Sequence, residues 1–171
     1  MKTILGFVAG GLLLLATACD KDDDNSSPTH NDWEFVYKTA YNNLAEIDGG
    51  TLALSQATDN GVKAFAQRMV DEHGQAYNEL AAIVPDYHWT LPVVADSVYR
   101  SEKNLLATLT GRAFDSAYMA YQVVVLNAVD SVYQKESSSG KGRLKSFAMK
   151  YLPQIQQHLQ MADSIYAYLK P

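Results

Sequence analysis

The chain has 171 residues, of which 47% are hydrophobic and 19% charged, with 14 Lys and Arg against 19 Asp and Glu. That length fits one domain with short appendages, and the apolar share excludes a disordered chain. A net charge of −5 with no basic stripe excludes nucleic acid as a partner, and a lone cysteine, Cys19, excludes an internal disulfide.

Residues 1–18 read as a delivery signal. Met1-Lys2-Thr3 gives a positive start, Ile4 to Leu15 is an uncharged apolar run, and Ala16-Thr17-Ala18 are small residues ahead of Cys19. About a dozen apolar residues are too few for a membrane-spanning helix, which needs about 20, so the segment is expected to be a secretory signal peptide. Leu15-Ala16-Thr17-Ala18-Cys19 resembles a bacterial lipoprotein box, with Ala16 where leucine is more usual. The resemblance implies that Cys19 is lipidated and that the membrane is reached through its acyl chains, in the cell envelope and at the outer membrane. An ordinary signal peptide cut after Ala18 would instead leave a free thiol. Asp20-Lys21-Asp22-Asp23-Asp24 is similar to the acidic export signal of some surface lipoproteins, and reads equally as a solvated spacer. Residues 19–32 are expected to form a polar tether, with His30 as part of it.

Residues 33–171 carry helical periodicity. The first helix, Trp33 to about Ala57 with Asn31 or Asp32 as cap, has two candidate inward stripes. One is Tyr37, Tyr41, Leu44, Ile47, Thr51 and Leu54. The other contains Phe35, Thr39, Asn42, Glu46, Gly49, Gly50 and Ala53, where glycine would let a neighbouring helix come close. Whichever turns inward decides whether Glu46 is buried. Thr58 to Gly61 is a turn with a cap for the second helix, Val62 to Val84. There Val62, Phe65, Ala66, Met69, Val70, Ala76, Tyr77, Leu80 and Val84 share one broad face, with His73 at its centre. An imidazole aimed at a core must be hydrogen-bonded, metal-bound or hydrated. Pro85 ends that helix, and Pro85 to Pro92 is a connector in which His88 and Trp89 act as loop anchors. A short helix is expected from Ala95 to Leu109.

The third long helix runs from about Phe114 to Lys135, with Met119, Gln122, Leu126, Val129 and Tyr133 inward. Ser137 to Gly142 reads as a flexible link. The fourth starts near Arg143, carries His158 in its apolar stripe and is expected to kink or break at Pro153. With no strand runs, the chain is all-α: an up-and-down four-helix bundle with a short extra helix between helices two and three.

Three stretches resemble the signature of the domain-of-unknown-function 4142 family: Val62 through Asp71-Glu72-His73, Gly111 through Phe114-Asp115 to Tyr118, and Leu152-Pro153 through His158-Leu159. Glu46-Ile47-Asp48-Gly49-Gly50 belongs to the same match, which covers nearly all of Trp33 to Leu169. The resemblance implies a ferritin-like bundle of the exported or outer-membrane type with no established reaction. It also implies an inward glutamate and histidines on helices two and four, matched by Glu46, His73 and His158. The family's further histidine on helix three is replaced here by Leu126. One carboxylate and two imidazoles suffice for Zn or Fe with an open position. The two Glu-x-x-His motifs of di-iron bundles are missing, because Val70 and Ile155 precede the histidines at that spacing.

The leading functional expectation is a non-catalytic, lipid-anchored bundle whose histidines satisfy core neighbours such as Gln122, Tyr118 or Tyr151. Behind it stand a metal site of Glu46, His73 and His158, and a small-ligand pocket lined by tyrosines. Hydrolase or transferase chemistry comes last, since Asp71 and Glu72 fall off the core face and read as solvated.

Overall fold

A computed structural model describes residues 28–170; the expected signal peptide, Cys19 and the acidic run lie outside them. Five α-helices follow in order: α1 (His30–Gln56), α2 (Asn60–Ile83), α3 (Ser97–Leu106), α4 (Gly111–Ser139) and α5 (Gly142–Leu169), with a 3-10 turn at Val84–Tyr87 after α2. No strand occurs among the described residues. The four long helices form the bundle, so the all-α expectation holds.

Their directions follow from contacts at the two ends. The start of α4 meets the end of α1, where Asp115 accepts hydrogen bonds from Thr58 N (3.0 Å), Thr58 Oγ1 (2.5 Å) and Asp59 N (3.0 Å). The end of α4 returns to the start of α1, where Lys135 reaches Asn31. Arg143 at the start of α5 pairs with Asp86 beyond the end of α2, and Arg112 reaches the backbone of Leu169. Thus α1 and α5 run one way, α2 and α4 the other. The helices pack as hairpins α1–α2 and α4–α5, closed by α1 against α4 and α2 against α5. Strict up-and-down succession is therefore corrected to a bundle with one crossover, residues 84–110, running its whole length; one such crossover is what ferritin-like folds have.

The crossover explains the ambiguity of α1. Its core face is the second stripe, with Phe35, Thr39, Asn42, Glu46, Gly50 and Ala53 buried. Tyr37 on the other stripe is half-buried and donates to Thr90 O of the crossover at 3.0 Å, while Asp48 pairs with Lys103 of α3 at 3.1 Å. Both faces of α1 are used, one for the core and one for the strap. At Gly50 α1 and α2 approach closely: a Cβ there would lie 2.9 Å from Ala66 O and 2.9 Å from Val70 Cγ2. At Gly49 it would meet only Tyr118 Cε2, at 3.9 Å.

Helix ends depart from expectation for local reasons. α1 begins at His30 rather than Trp33, because Thr29 is its N-cap and Asp32 completes a capping box from the third position. Asp59 and Asp96 cap α2 and α3. Ser137, Ser138 and Ser139 stay helical, each hydroxyl donating to a carbonyl three or four residues back. α5 runs through Pro153 without interruption; the carbonyl that loses its partner belongs to Met149, whose side chain is exposed.

Candidate functional site

His73 sits where the α2 periodicity puts it, among Val62, Phe65, Ala66, Met69, Ala76 and Leu80, all buried. Its ring is 2% exposed. Nδ1 lies 2.8 Å from Asn43 Oδ1 on α1. On the far sides of this pair, His73 Nε2 and Asn43 Nδ2 meet no protein group. Burial, with a further push from the His158 ring, takes the pKa of His73 down to about 3, so the ring is neutral at any ordinary pH.

His158 on α5 is the counterpart, at 0% exposure. Its Nε2 is 2.7 Å from Glu72 Oε2, and the other oxygen of Glu72 is 3.3 Å from Arg68. Nε2–H donates to the carboxylate, which leaves Nδ1 as a buried lone pair with no hydrogen bond. Burial lowers the His158 pKa, against an opposing pull from Glu72. The two rings face across the α2–α5 seam with centroids 5.3 Å apart and planes inclined by 40°. A polar line thus runs from Arg68 at the surface through Glu72 to His158, then across to His73 and Asn43.

Glu46 is buried too, at 2% exposure, but it belongs to the other seam. Its Oε2 accepts from Gln122 Nε2 of α4 at 2.8 Å and its Oε1 from Asn42 Nδ2 at 3.3 Å. Burial pushes its pKa up to about 7, only partly opposed by these two amides. Asn43 meets His73 of α2, whereas Glu46 meets Gln122 of α4. The three-ligand set of Glu46, His73 and His158 is accordingly not brought together. Among the described residues no three His, Cys, Asp or Glu side chains gather to hold a metal ion.

The expected core partners of the histidines are also corrected. Gln122 serves Glu46, and Tyr151 donates to Glu79 at 2.9 Å. Asn43 and Glu72 take their place. Glu72, expected in solvent, is half-buried because the residue before His73 turns toward α5; Asp71 is exposed, as expected, and accepts from Gln67. Nothing in the local pattern marks Asn43 or Glu72, since both partnerships depend on how separate helices meet. A tyrosine-lined recess does exist: a pocket of about 340 Å³ beside α1 and α4, with Tyr41, Tyr99 and Tyr133 on its walls and Asn42, which holds Glu46, at its edge. In the connector, His88 is exposed and Trp89 stacks on Tyr87 with ring centres 5.2 Å apart.

A family model described as "Domain of unknown function (DUF4142)" matches residues 17–165. No curated protein and no solved structure matches the chain. The chain belongs to the DUF4142 family.

Proposed function

We propose that this family member is a lipid-anchored protein of the cell envelope, held through Cys19 at the outer membrane, whose bundle binds or supports a partner and catalyses no reaction. The observation that carries the non-catalytic reading is the enclosure of its reactive groups. Glu46, His73 and His158 are buried, and each is already held by a protein neighbour. A general acid or base must come within hydrogen-bond reach of the proton it moves, and a sealed side chain cannot. The anchor rests on the order of charge, apolar run, small residues and cysteine in residues 1–19. No helix among the described residues is long and apolar enough to cross a bilayer. Val93, Val94, Val98 and Leu105, all exposed on the crossover, offer an apolar surface of the kind that partners cover.

Two measurements test the reading. Fractionation of cells should place the wild-type chain in membranes and Cys19→Ser in the soluble fraction; equal membrane retention of both would remove the anchor. Hydrogen exchange around Glu46, His73 and His158 should proceed only through global unfolding. Exchange there through frequent local opening would give a substrate access and overturn the non-catalytic reading.

A further inference from the structure

We propose that the recess between α1, α4 and the start of α3 binds a small protonated amine with an apolar body, held among Tyr41, Tyr99 and Tyr133 beside Asp96. The proposal rests on the binding role above, which it deepens by naming a ligand class, and not on the lipid anchor.

The shape and lining come first. At about 340 Å³ the recess falls in the range of clefts that take a whole small molecule. Val129 and Val132 of α4 give it an apolar floor. Its three tyrosines come from α1, α3 and α4, so the aromatic wall exists only once the crossover has folded over the bundle. Thr39 Oγ1 lines the same space on a side chain 2% exposed and has no hydrogen bond; the Tyr133 hydroxyl is near enough to influence it but not to bond it. A buried oxygen left bare is unfavourable unless a donor occupies it, and an ammonium group is a donor with no acceptor of its own.

Charge then selects the ligand. Asp96 borders the recess, half-buried, with Oδ1 capping α3 through Val98 N and Tyr99 N. Glu46 does not line it: Asn42 does, and holds Glu46 behind it at 3.3 Å, so that the sealed carboxyl acts here through its field and not by contact. The same field is felt by the hydroxyls of this flank. Tyr99 and Tyr121 are held above the ordinary tyrosine pKa first by burial and then by Glu46 and Asp96, with Glu102 adding to the effect on Tyr121. Carboxylates set around a low-dielectric wall concentrate cations. Lys38 is the one cation among the lining residues, and it is exposed and paired with Glu34 at 2.7 Å. On α3, Lys103 pairs with Asp48 and Arg100 lines a separate recess. An anion therefore meets no unpaired cation on this wall, whereas an ammonium meets a carboxylate, an open hydroxyl oxygen and three aromatic rings.

The test titrates the full chain in non-ionic detergent with three probes that share one apolar body: phenethylamine, cationic at neutral pH, uncharged phenethyl alcohol and anionic phenylacetate. Calorimetry should show one phenethylamine per chain, bound about 10-fold or more tighter than the alcohol, and no uptake of phenylacetate. Tyr99→Leu should weaken the amine about 10-fold, and Tyr99→Phe, which keeps the ring, should restore most of it. Asp96→Asn still caps α3 and should weaken the amine about 3–10-fold while leaving the alcohol unchanged. Because a variant can disturb the crossover, ring-current shifts of the probe's methylene protons on the wild-type chain give a second readout. Competition by phosphatidylethanolamine nanodiscs would mark a lipid headgroup as the source of the amine, and indifference to them a free amine. Cys19→Ser should bind as the wild type does, so that loss of the anchor and loss of the site are seen separately. No uptake of the amine, equal binding of amine and alcohol, or an affinity untouched by both Tyr99→Leu and Asp96→Asn would overturn the proposal.

Discussion

Replacing Glu46 by glutamine should make the protein more stable at pH 8 and leave the balance much closer at pH 4. The carboxyl is fully buried between α1 and α4, and its pKa stands at about 7 instead of the ordinary 4.5. The folded state therefore binds this proton more tightly than the unfolded chain does. Stability falls with rising pH wherever the folded state holds more protons, so the wild type loses ground from about pH 4.5 to about pH 7 and is level above that. Glutamine does not titrate in either state. At about 1.36 kcal/mol per pH unit, the gap between variant and wild type should widen by on the order of 3 kcal/mol across that window. The replacement can be accommodated, because Gln122 Oε1 has no hydrogen bond and can accept from a new amide once the Gln122 side chain turns over. Urea unfolding of both proteins at pH 4, 6 and 8 measures it. Other titrating groups act in both proteins and cancel in the difference: Glu136, also raised to about 7 by burial and by Asp32, and His73 and His158, whose lowered pKa values work in the opposite sense. A variant-to-wild-type gap that stays constant from pH 4 to pH 8 would refute the burial of an ionisable Glu46.

Gly50→Ala should lower stability by about 1–2 kcal/mol, since the clash with the α2 backbone at Ala66 outweighs the gain in helix propensity; Gly49→Ala, with open space for its methyl, should raise stability by about 0.8–1 kcal/mol. Thermal melts of the two variants decide it, and a Gly50→Ala protein as stable as Gly49→Ala would show that the two helices are not in close contact there. Asp115→Ala should cost on the order of 3 kcal/mol by orphaning the backbone N–H groups of Thr58 and Asp59, with Asp115→Asn recovering part of the loss. Urea midpoints of both variants are the measure, and an Asp115→Ala protein within 1 kcal/mol of wild type, at about the scale of one neutral hydrogen bond, would mean the turn does not depend on this carboxylate.

What the sequence made legible was whatever repeats within one helix. The face of α2 could be read because one side of it alone is apolar, and Val62, Phe65, Ala66, Met69, His73, Ala76 and Leu80 are all buried. α1 could not be resolved in the same way because both its sides are covered. The covering strap is the crossover, whose path is set by where α4 begins and not by any local pattern. Likewise the burial of His158 follows from its own stripe, while its bond to Glu72 joins residues 86 positions apart. Capping is intermediate: Asp59 marks the start of α2 openly, whereas Thr29 is recognised only once Asp32 is seen as the third residue of a box.

Leu126 ties the two seams together. Gln122 of α4 meets Glu46 of α1 across an antiparallel pair, so the next inward turn of α4, at Leu126, falls level with Asn42 and Asn43. Asn43 is in turn level with His73, and His73 with His158. One cross-section of the bundle thus carries an asparagine, two histidines and a leucine, one from each long helix. The resemblance of this chain to its family implies a histidine where Leu126 stands, which would give that layer a third imidazole. With leucine there, fully buried, the layer keeps two nitrogen donors and gains an aliphatic wall. Leu126 offers neither donor nor acceptor, so the polar contacts of this layer stay on the other three helices, between Asn43 and His73 and, one step outward, between Glu72 and His158. The fourth wall is apolar, which adds to the burial that holds both imidazoles below their ordinary pKa.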